Sequence, residues 1–270
     1  MKISPKVIKN QVQVNRFHIP YRVYGNGGPH VVCLNGVQQS MAMWQSFVNQ
    51  FAKDYRILLF DFPGQGKAQV DMGPVNASID EQVEILHEVI KASNVHDITI
   101  CSASWGGVVA LAFVSKYPHL TKRLLLGGMG TKPSKTMIEI IKKGCSMDEN
   151  NREEMAKMLI ESFGVNLPEE MKARISRQFC AMSKENLRNF SEHGSFVLSK
   201  NLEEIVDFNN IKVDTVLISG ENDKLIDIDD VKFLATQIPN CRLKIVKNVG
   251  HFLHLEDESV LNIYGEFIKN

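Results

Sequence analysis

The chain has 270 residues, 44% of them hydrophobic and 23% charged, which is typical of one large globular domain or of one domain with an insertion. Its 31 basic and 31 acidic residues give no net charge, which argues against a nucleic-acid partner and against binding to an anionic membrane surface. The five cysteines include no C-x-x-C pair, so we expect no disulfide framework, no metal site and no cofactor.

Short apolar runs alternate with helical patterns in the first half of the chain. Residues 12–25 predict two antiparallel strands, and each of the later runs predicts one buried strand: "HVVCLNG", "RILLFDFPG", "DITICSA" and "KRLLLGG". The segments between them have helical spacing, as in "MAMWQSFVNQFAKD" (41–54). Buried strands that alternate with helices indicate a mostly parallel sheet flanked by helices, and therefore an α/β fold.

This alternation stops at Gly130. From residue 131 to 209 only helical patterns occur, and strands return at "DTVLISG" and "CRLKIVKN" before a closing helix, "FLHLEDESVLNIYGEFIKN". Three residues interrupt the helical block: Gly144, Gly164 and Pro168. We predict a core made of residues 1–130 and 210–270, with residues 131–209 inserted as a helical cap over the sheet edge where open α/β sheets bind ligands.

The stretch "CSASWGG" lies where a predicted strand ends and a helix begins. This is the setting of the G-x-S-x-G turn, which exposes a nucleophilic serine to an activating base. The turn is sharp, so the residues two before and two after the nucleophile must be small. Ser104 meets this condition with Ser102 and Gly106, whereas Ser102 would need the β-branched Ile100 to fit. We predict Ser104 as the nucleophile, and the alternative is that it only caps the following helix.

A base and an acid that could activate this serine occur later in the chain. His251, in "KNVGHFLHLE", follows a predicted strand, a position from which an imidazole can take the serine proton, whereas His254 is predicted to lie in the next helix. Asp223 follows the strand "LISG" directly and is the predicted acid, with Asp227 as the alternative. The order Ser104, Asp223, His251 is that of nucleophile, acid and base in α/β-hydrolases.

An oxyanion hole requires two backbone N–H donors. We predict one at Trp105, next after the nucleophile, and one at Val37, in the loop that follows "VVCLNG". The run "FDFPGQGKA" contains a Gly-Lys pair but lacks the Ser or Thr and the earlier glycine of a phosphate-binding loop. We therefore reject nucleotide binding there and expect this turn to shape the sheet edge beside the site.

Three motifs, D-x-P-G-x-G, S-x-S-W-G-G and G-H-F-L-x-L-E, together resemble those of the α/β-hydrolase superfamily. More narrowly, "LLFDFPGQG", "EQVEILHEVI" and the Asn35-Gly36 pair are similar to the bacterial branch that transfers 3-hydroxyacyl groups, which includes the rhamnolipid-precursor synthase and the 3-hydroxyacyl-carrier-protein transacylase. The resemblance spans roughly residues 30–128 and 214–268. It implies a triad of Ser104, Asp223 and His251.

The predicted cap carries no motif of this branch, but its composition is informative. It contains six of the eleven methionines: Met137, Met147, Met155, Met158, Met171 and Met182. These flexible side chains suit an acyl-tail pocket or, equally, filler between helices. The basic pairs Lys142-Lys143 and Arg174/Arg177 are candidate contacts for an acidic carrier protein or a coenzyme phosphate, although nearby acidic residues balance them.

Together these features predict a serine acyl hydrolase or acyltransferase that forms an acyl-enzyme with a medium-chain acyl or 3-hydroxyacyl thioester or ester. Acyl carrier protein and coenzyme A are the candidate carriers. The alternatives are a carboxylesterase that uses water alone and a non-catalytic ligand receptor on the same fold. Dehalogenases and epoxide hydrolases of this fold are disfavoured because their nucleophile is an aspartate. The lack of an apolar leader and of a run of ~18 apolar residues predicts a cytoplasmic protein without a membrane span.

Overall fold

The computed structural model of the chain describes residues 6–146, 151–164 and 166–269. These residues form nine strands: β1 (Val7–Val14), β2 (Phe17–Tyr24), β3 (His30–Leu34), β4 (Arg56–Phe60), β5 (Gln69–Val70), β6 (Ile98–Ala103), β7 (Thr121–Gly127), β8 (Asp214–Gly220) and β9 (Cys241–Val246). They also form nine α-helices: α1 (Gln45–Phe51), α2 (Ile79–Ser93), α3 (Trp105–Lys116), α4 (Lys135–Cys145), α5 (Arg152–Phe163), α6 (Glu169–Cys180), α7 (Lys184–Ser199), α8 (Ile228–Gln237) and α9 (Val260–Lys269).

The strands form one sheet in the order β1-β2-β4-β3-β6-β7-β8-β9, with the short β5 paired to β2. β1 and β2 form an antiparallel hairpin and β2 is antiparallel to β4, while all pairs from β4 to β9 are parallel. The predicted hairpin and the mostly parallel sheet are therefore confirmed. The strand order reverses between β3 and β6, so the loops that follow these two strands diverge at their carboxyl ends and leave a crevice suited to ligands.

Strand residues alternate between two apolar layers, one on each face of the sheet. In β3, Val32 and Leu34 pack with α2, α3 and α8, whereas Val31 and Cys33 pack with α1 and α9. Helix α2 begins with a capping box, in which Ser78 Oγ accepts from Glu81 N and the Glu81 side chain accepts from Ser78 N. The sheet is covered on both faces, as the continuous apolar runs predicted.

Helices α4 to α7 lie between β7 and β8, where only helical patterns were predicted. Helix α4 packs against α7, and α5 packs against α6. Gly164 follows α5 and Pro168 precedes α6, so two of the three predicted interruptions coincide with helix ends, and Gly144 lies in the last turn of α4. The helical content of this insertion is confirmed, while its function as a cap stays a prediction.

Two predicted helices are shorter than expected. In the segment 41–54, Met41–Trp44 form a 3₁₀ turn before the short helix α1. In the closing segment, Leu253–Leu255 form another 3₁₀ turn, and α9 begins only at Val260. The closing helix begins late because the Glu256 carboxylate accepts hydrogen bonds from two backbone N–H groups of the preceding loop, which folds this segment back on itself.

All five cysteines lie in described residues and are free thiols. Cys33 and Cys101 are register neighbours in β3 and β6, and burial raises the pKa of both thiols well above the ordinary value. They therefore pack as small hydrophobic side chains. In the described part of the chain, no helix combines the length and the apolar character needed to cross a membrane.

Candidate active site

Ser104 joins the end of β6 to the first turn of α3. Its backbone has φ 49° and ψ −119°, a conformation that residues other than glycine rarely adopt. Ser104 N donates to Gly127 O at 2.7 Å, and Ser104 O accepts from Gly107 N at 2.8 Å, so the turn is held from both sides. The side chain makes no helix-capping hydrogen bond, and it faces a cavity instead. Ser104 therefore does not have the alternative role of a helix cap in this structure.

The two small residues that flank this turn are tightly confined. Ser102 is fully buried, and its hydroxyl donates to Leu125 O at 3.0 Å inside the sheet. A Cβ atom on Gly106 would lie 2.7 Å from both Leu34 O and Asn35 O, which is too close for any larger residue without a shift of the helix. The Ser102 hydroxyl is thus used in a hydrogen bond within the sheet, and Ser104 is the serine of this turn that can be reached from the cavity.

His251 and Asp223 form a buried pair at the carboxyl ends of β9 and β8. Nδ1 of the histidine lies 2.8 Å from Oδ2 of the aspartate, and the side chains are 5% and 1% exposed. The other carboxylate oxygen accepts from Leu225 N at 2.8 Å and from Ile226 N at 3.3 Å. Burial by itself would lower the pKa of His251, but the adjacent Asp223 carboxylate outweighs burial and raises this pKa above its ordinary value.

Ser104 and His251 line the same cavity. Since Nδ1 of His251 is engaged by Asp223, Nε2 is the nitrogen that remains for the serine. No hydrogen bond joins Nε2 to Ser104 in the described structure, and such contacts are often long before a substrate binds. Gly128 packs against the imidazole, and a Cβ there would lie 3.5 Å from the ring and 3.1 Å from His251 O.

The loop after β3 approaches the serine from the other side. A Cβ on Gly36 would lie 3.3 Å from Ser104 Cβ, which measures how close this loop and the turn are. Gly36 N is occupied by Gln39 Oε1 at 2.8 Å. Among the hydrogen bonds of the described residues, none has Val37 N or Trp105 N as its donor. Trp105 begins α3, so its N–H has no acceptor within the helix and is available to a ligand.

Comparisons with known proteins agree with the fold. Residues 29–143 match the family profile of the alpha/beta hydrolase fold. An (R)-3-hydroxydecanoyl-ACP:CoA transacylase of Pseudomonas putida is 22% identical over 250 residues, which cover 88% of this chain and 83% of that protein. A 2-hydroxy-6-oxononadienedioate/2-hydroxy-6-oxononatrienedioate hydrolase of Escherichia coli is 26% identical, covering 88% of this chain and 86% of the relative. The solved enol-lactonase of Burkholderia xenovorans LB400 superimposes with a TM-score of 0.81 at 18% identity, covering 97% of this chain and 100% of that one.

The chain is an enzyme with the α/β-hydrolase fold. The predicted fold class is confirmed, and so is the resemblance to the branch that contains the transacylase, at low identity.

A buried network that the sequence did not reveal fixes the loop that carries Val37. Asn35 donates from Nδ2 to Phe60 O at 3.0 Å, and its Oδ1 accepts from Trp44 Nε1 at 3.1 Å. Trp44 stacks on His254 at 5.0 Å between ring centroids, and burial lowers the pKa of that histidine to about 4. In the sequence, only the family resemblance drew attention to Asn35. No sequence pattern indicated that it would contact Trp44 or that Trp44 would stack on His254.

The D-x-P-G-x-G turn is closed by a buried carboxylate. Asp61 accepts from Met41 N at 2.7 Å and from Lys67 N at 3.0 Å, so it joins this turn to the segment that follows the Val37 loop. A Cβ on Gly66 would lie 2.1 Å from this carboxylate, and its φ is +53°, so only glycine fits. The turn shapes the cavity wall, as expected of it.

Asp227 and Asp230 lie at the start of α8. Asp227, the alternative acid, precedes α8 and makes no capping hydrogen bond. Asp230, in the first turn of α8, is buried and accepts from Thr131 N at 2.7 Å, from Thr131 Oγ1 and from Lys132 N at 3.2 Å. Its carboxylate therefore attaches the start of the inserted segment to α8, a contact with no signal in the local sequence.

The inserted helices of the enzyme form one side of a cavity of about 1420 Å³ that contains Ser104 and His251. Phe163 of α5 packs edge to face on the His251 ring, with 5.7 Å between centroids, and His193 of α7 packs on Trp105 at 4.3 Å. The insertion therefore contacts both His251 and Trp105 directly, and its side chains form part of the cavity wall.

The methionines and basic residues of the insertion have different positions. Met137, Met171 and Met182 line the cavity, Met155 and Met158 pack in the apolar core, and Met147 lies outside the described residues. Lys143 pairs with Glu154 at 2.5 Å, whereas Arg174 lines the cavity. Three of these methionines therefore face the cavity and two fill space between helices, and Arg174 is the one of the four predicted basic residues that lines the cavity.

Proposed function

We propose that the protein is a serine acyl hydrolase or acyltransferase that forms an acyl-enzyme on Ser104, with a medium-chain acyl or 3-hydroxyacyl thioester or ester as its substrate. One observation carries this proposal: a strained, cavity-facing serine shares its cavity with a buried His251–Asp223 pair. An imidazole with one nitrogen held by a carboxylate and the other directed to a serine is the arrangement that activates a hydroxyl.

Acylation follows from the roles we assign. Ser104 Oγ attacks the acyl carbon while His251 Nε2 takes its proton, and Asp223 stabilises the resulting imidazolium. The N–H groups of Val37 and Trp105 donate to the oxyanion that develops on the acyl oxygen. One such donor is typically worth about 3–4 kcal/mol of barrier.

Acylation ends when the bond to the leaving group breaks and His251 gives its proton to that group. In deacylation, His251 takes a proton from water or from an acceptor hydroxyl as its oxygen attacks the acyl carbon. The bond between the acyl carbon and Ser104 Oγ then breaks, and His251 returns the proton to Oγ, which regenerates the serine. A thiolate is a good leaving group and needs little help from an acid, so thioester donors are suitable substrates for this site. The acceptor decides between hydrolysis and transfer.

Features of the cavity support an acyl substrate. Its walls include methionine, isoleucine and phenylalanine side chains of α4 to α7, which suit a flexible apolar chain. The transacylase relative has an acyl-ACP and coenzyme A in its name, and by analogy we propose these carriers here, with Arg174 as a contact for their anionic groups. We further propose that residues 131–209 act as the cap, and that the protein works in the cytoplasm, where five free thiols stay reduced.

A second candidate is a carboxylesterase that uses water alone. The observation in its favour is that the Escherichia coli relative and the enol-lactonase are named as enzymes of hydrolysis, on the same fold. A ligand receptor without turnover is the third reading, and it predicts saturable binding of acyl compounds but no covalent labelling of the serine.

A product screen separates these candidates. Acyl-coenzyme A, acyl-carrier-protein and simple ester donors of graded chain length are each incubated with the enzyme, with and without a hydroxyacyl acceptor. We expect thioester donors to be consumed and an ester of the acceptor to appear. Free acid as the product under every condition would favour the esterase. Binding without any product, together with no reaction with a fluorophosphonate probe, would favour the receptor.

A further inference from the structure

His193 of α7 lies against the residue that follows the proposed nucleophile. Its ring meets Trp105 edge to face, with 4.3 Å between centroids and an interplanar angle of 83°. Trp105 is fixed from the core side, because its Nε1 donates to Gln82 Oε1 at 2.9 Å and Gln82 is buried. The indole is thus held between α2 of the core and α7 of the insertion, and His193 is positioned by a rigid neighbour.

The imidazole of His193 has an unused polar atom. Its Nε2 is enclosed and has no hydrogen-bond partner in the described structure, and the residue lines the cavity that holds Ser104. Most buried polar atoms in folded proteins are paired, and leaving one unpaired costs about 1–3 kcal/mol. An unpaired nitrogen in the wall of a substrate cavity is a place where the substrate can supply the missing partner.

The charge of the ring limits what that partner is. Burial lowers the pKa of His193 to about 4, so the imidazole is neutral near pH 7, with one nitrogen that donates and one that accepts. A neutral ring offers no charge to a carboxylate or a phosphate. Its best partner is an uncharged hydroxyl or carbonyl group.

A second residue that lines this cavity also has an unused polar atom. Gln65, in the turn after β4, has an enclosed Oε1 without a partner, and it also lines the cavity. A few polar groups in an otherwise apolar pocket fix the orientation and the identity of a ligand. Two residues with unpaired polar atoms in one largely apolar cavity indicate a ligand that is apolar but carries a hydrogen-bonding group of its own.

We propose that His193 is a specificity-determining residue, whose imidazole binds a hydroxyl or oxo substituent on the acyl chain of the substrate. This inference rests on the proposed function, because it assumes that an acyl chain occupies the cavity. It assigns the recognition of the substituent to the inserted helix α7.

The test uses ester substrates of one chain length that are unsubstituted, hydroxylated or oxidised to a ketone at successive carbons. The measured quantity is the ratio of kcat/KM for each substituted ester to that for the plain ester. The variants are His193→Phe, which keeps an aromatic ring on Trp105 but has no polar atom, and His193→Gln, whose amide reaches the position of Nε2. His119→Phe, at an exposed histidine, is the matched control.

We expect the wild type to prefer a substituted ester and His193→Phe to lower that preference at least about five-fold, the effect of one lost hydrogen bond. His193→Gln should retain more of the preference, and His119→Phe should match the wild type. An equal change for all esters in His193→Phe would assign the residue to packing alone and overturn the inference. A wild type that turns over esters without preference would overturn it too. If the wild type neither turns over any ester nor reacts with a fluorophosphonate probe, the proposed function itself fails.

Discussion

His251 and Asp223 share a hydrogen bond of 2.8 Å, and both side chains are almost fully buried. The carboxylate is itself held by two backbone N–H groups, so it cannot turn away from the ring. A fixed negative charge beside the imidazole favours the protonated form and selects the tautomer with its proton on Nδ1. The pair therefore determines the pH at which the imidazole can act as a base.

The first prediction concerns pH. Only the neutral imidazole can accept the serine proton, so kcat/KM falls as the pH decreases through the pKa of His251. Because this pKa is raised, we expect the midpoint of the fall above the ordinary histidine value of about 6.5. Asp223→Asn should lower kcat on the order of 10⁴-fold, since the amide does not maintain the tautomer. Steady-state kinetics from pH 5 to 9 measure both effects, and a midpoint clearly below the ordinary value would contradict the assignment.

The second prediction concerns Gly106. A methyl group there would lie 2.7 Å from two carbonyl oxygens at the end of β3, so Gly106→Ala must push α3 away from the loop that carries Val37. Overpacking of this kind costs about 1–3 kcal/mol of unfolding free energy, and we expect kcat to fall by roughly ten-fold or more as the donors separate. Gly27→Ala is the control, because a Cβ there meets open space. Equal stability and activity in the two variants, by urea unfolding and kinetics, would be inconsistent with the close approach.

The third prediction concerns Asp230. Asp230→Asn replaces an acceptor carboxylate, which receives the hydrogen bonds of Thr131 and Lys132, with an amide that has one oxygen. We expect a loss of about 1–3 kcal/mol in unfolding free energy, and faster hydrogen exchange at residues 130–134. Asp229→Asn changes an exposed neighbour and should have little effect. Unchanged exchange at 130–134 in Asp230→Asn would show that this carboxylate does not secure the insertion.

The fourth prediction concerns acid stability. His254 is buried beside Trp44, and its pKa is lowered to about 4, so the folded protein binds fewer protons there than the unfolded chain between that value and the ordinary one near 6.5. This contribution to stability is present above about pH 6.5 and is lost as the pH falls toward 4, by roughly 3 kcal/mol. His254→Gln should flatten the decline of unfolding free energy over this interval, as urea titrations at several pH values would show. An equal dependence of unfolding free energy on pH in the wild type and in His254→Gln would contradict this prediction.

The sequence predicted the fold because hydrophobic periodicity is a local signal. The runs around "VVCL" and "LLLGG" became strands of a parallel sheet, since a strand buried on both faces must be continuously apolar. The predicted boundaries of the helices were less accurate. The closing segment has an unbroken helical pattern, but the Glu256 carboxylate binds the preceding loop and ends the first turn early. That contact depends on the position at which β9 ends in the folded protein, and the hydrophobic periodicity of the sequence carries no information about that position.

The site was predictable only where spacing and chain order carry the chemistry. Ser104 was distinguished from Ser102 by the size of residues two positions away, and the same crowding appears at Gly106 in the structure. Asp230 and His193 gave no such signal. Their importance arises from partners on distant segments, Thr131 across the sheet edge and Trp105 across the cavity, and from burial that only the folded chain creates.

The most direct test of the central claim is whether Ser104 becomes acylated. The protein is mixed with a medium-chain acyl thioester, quenched in acid within seconds, and the intact mass and peptide masses are measured. We predict an added mass equal to one acyl group, located on Ser104, absent from Ser104→Ala and retained in Ser102→Ala, whose hydroxyl serves the sheet. Turnover that survives in Ser104→Ala, or an adduct located on another residue, would contradict the account.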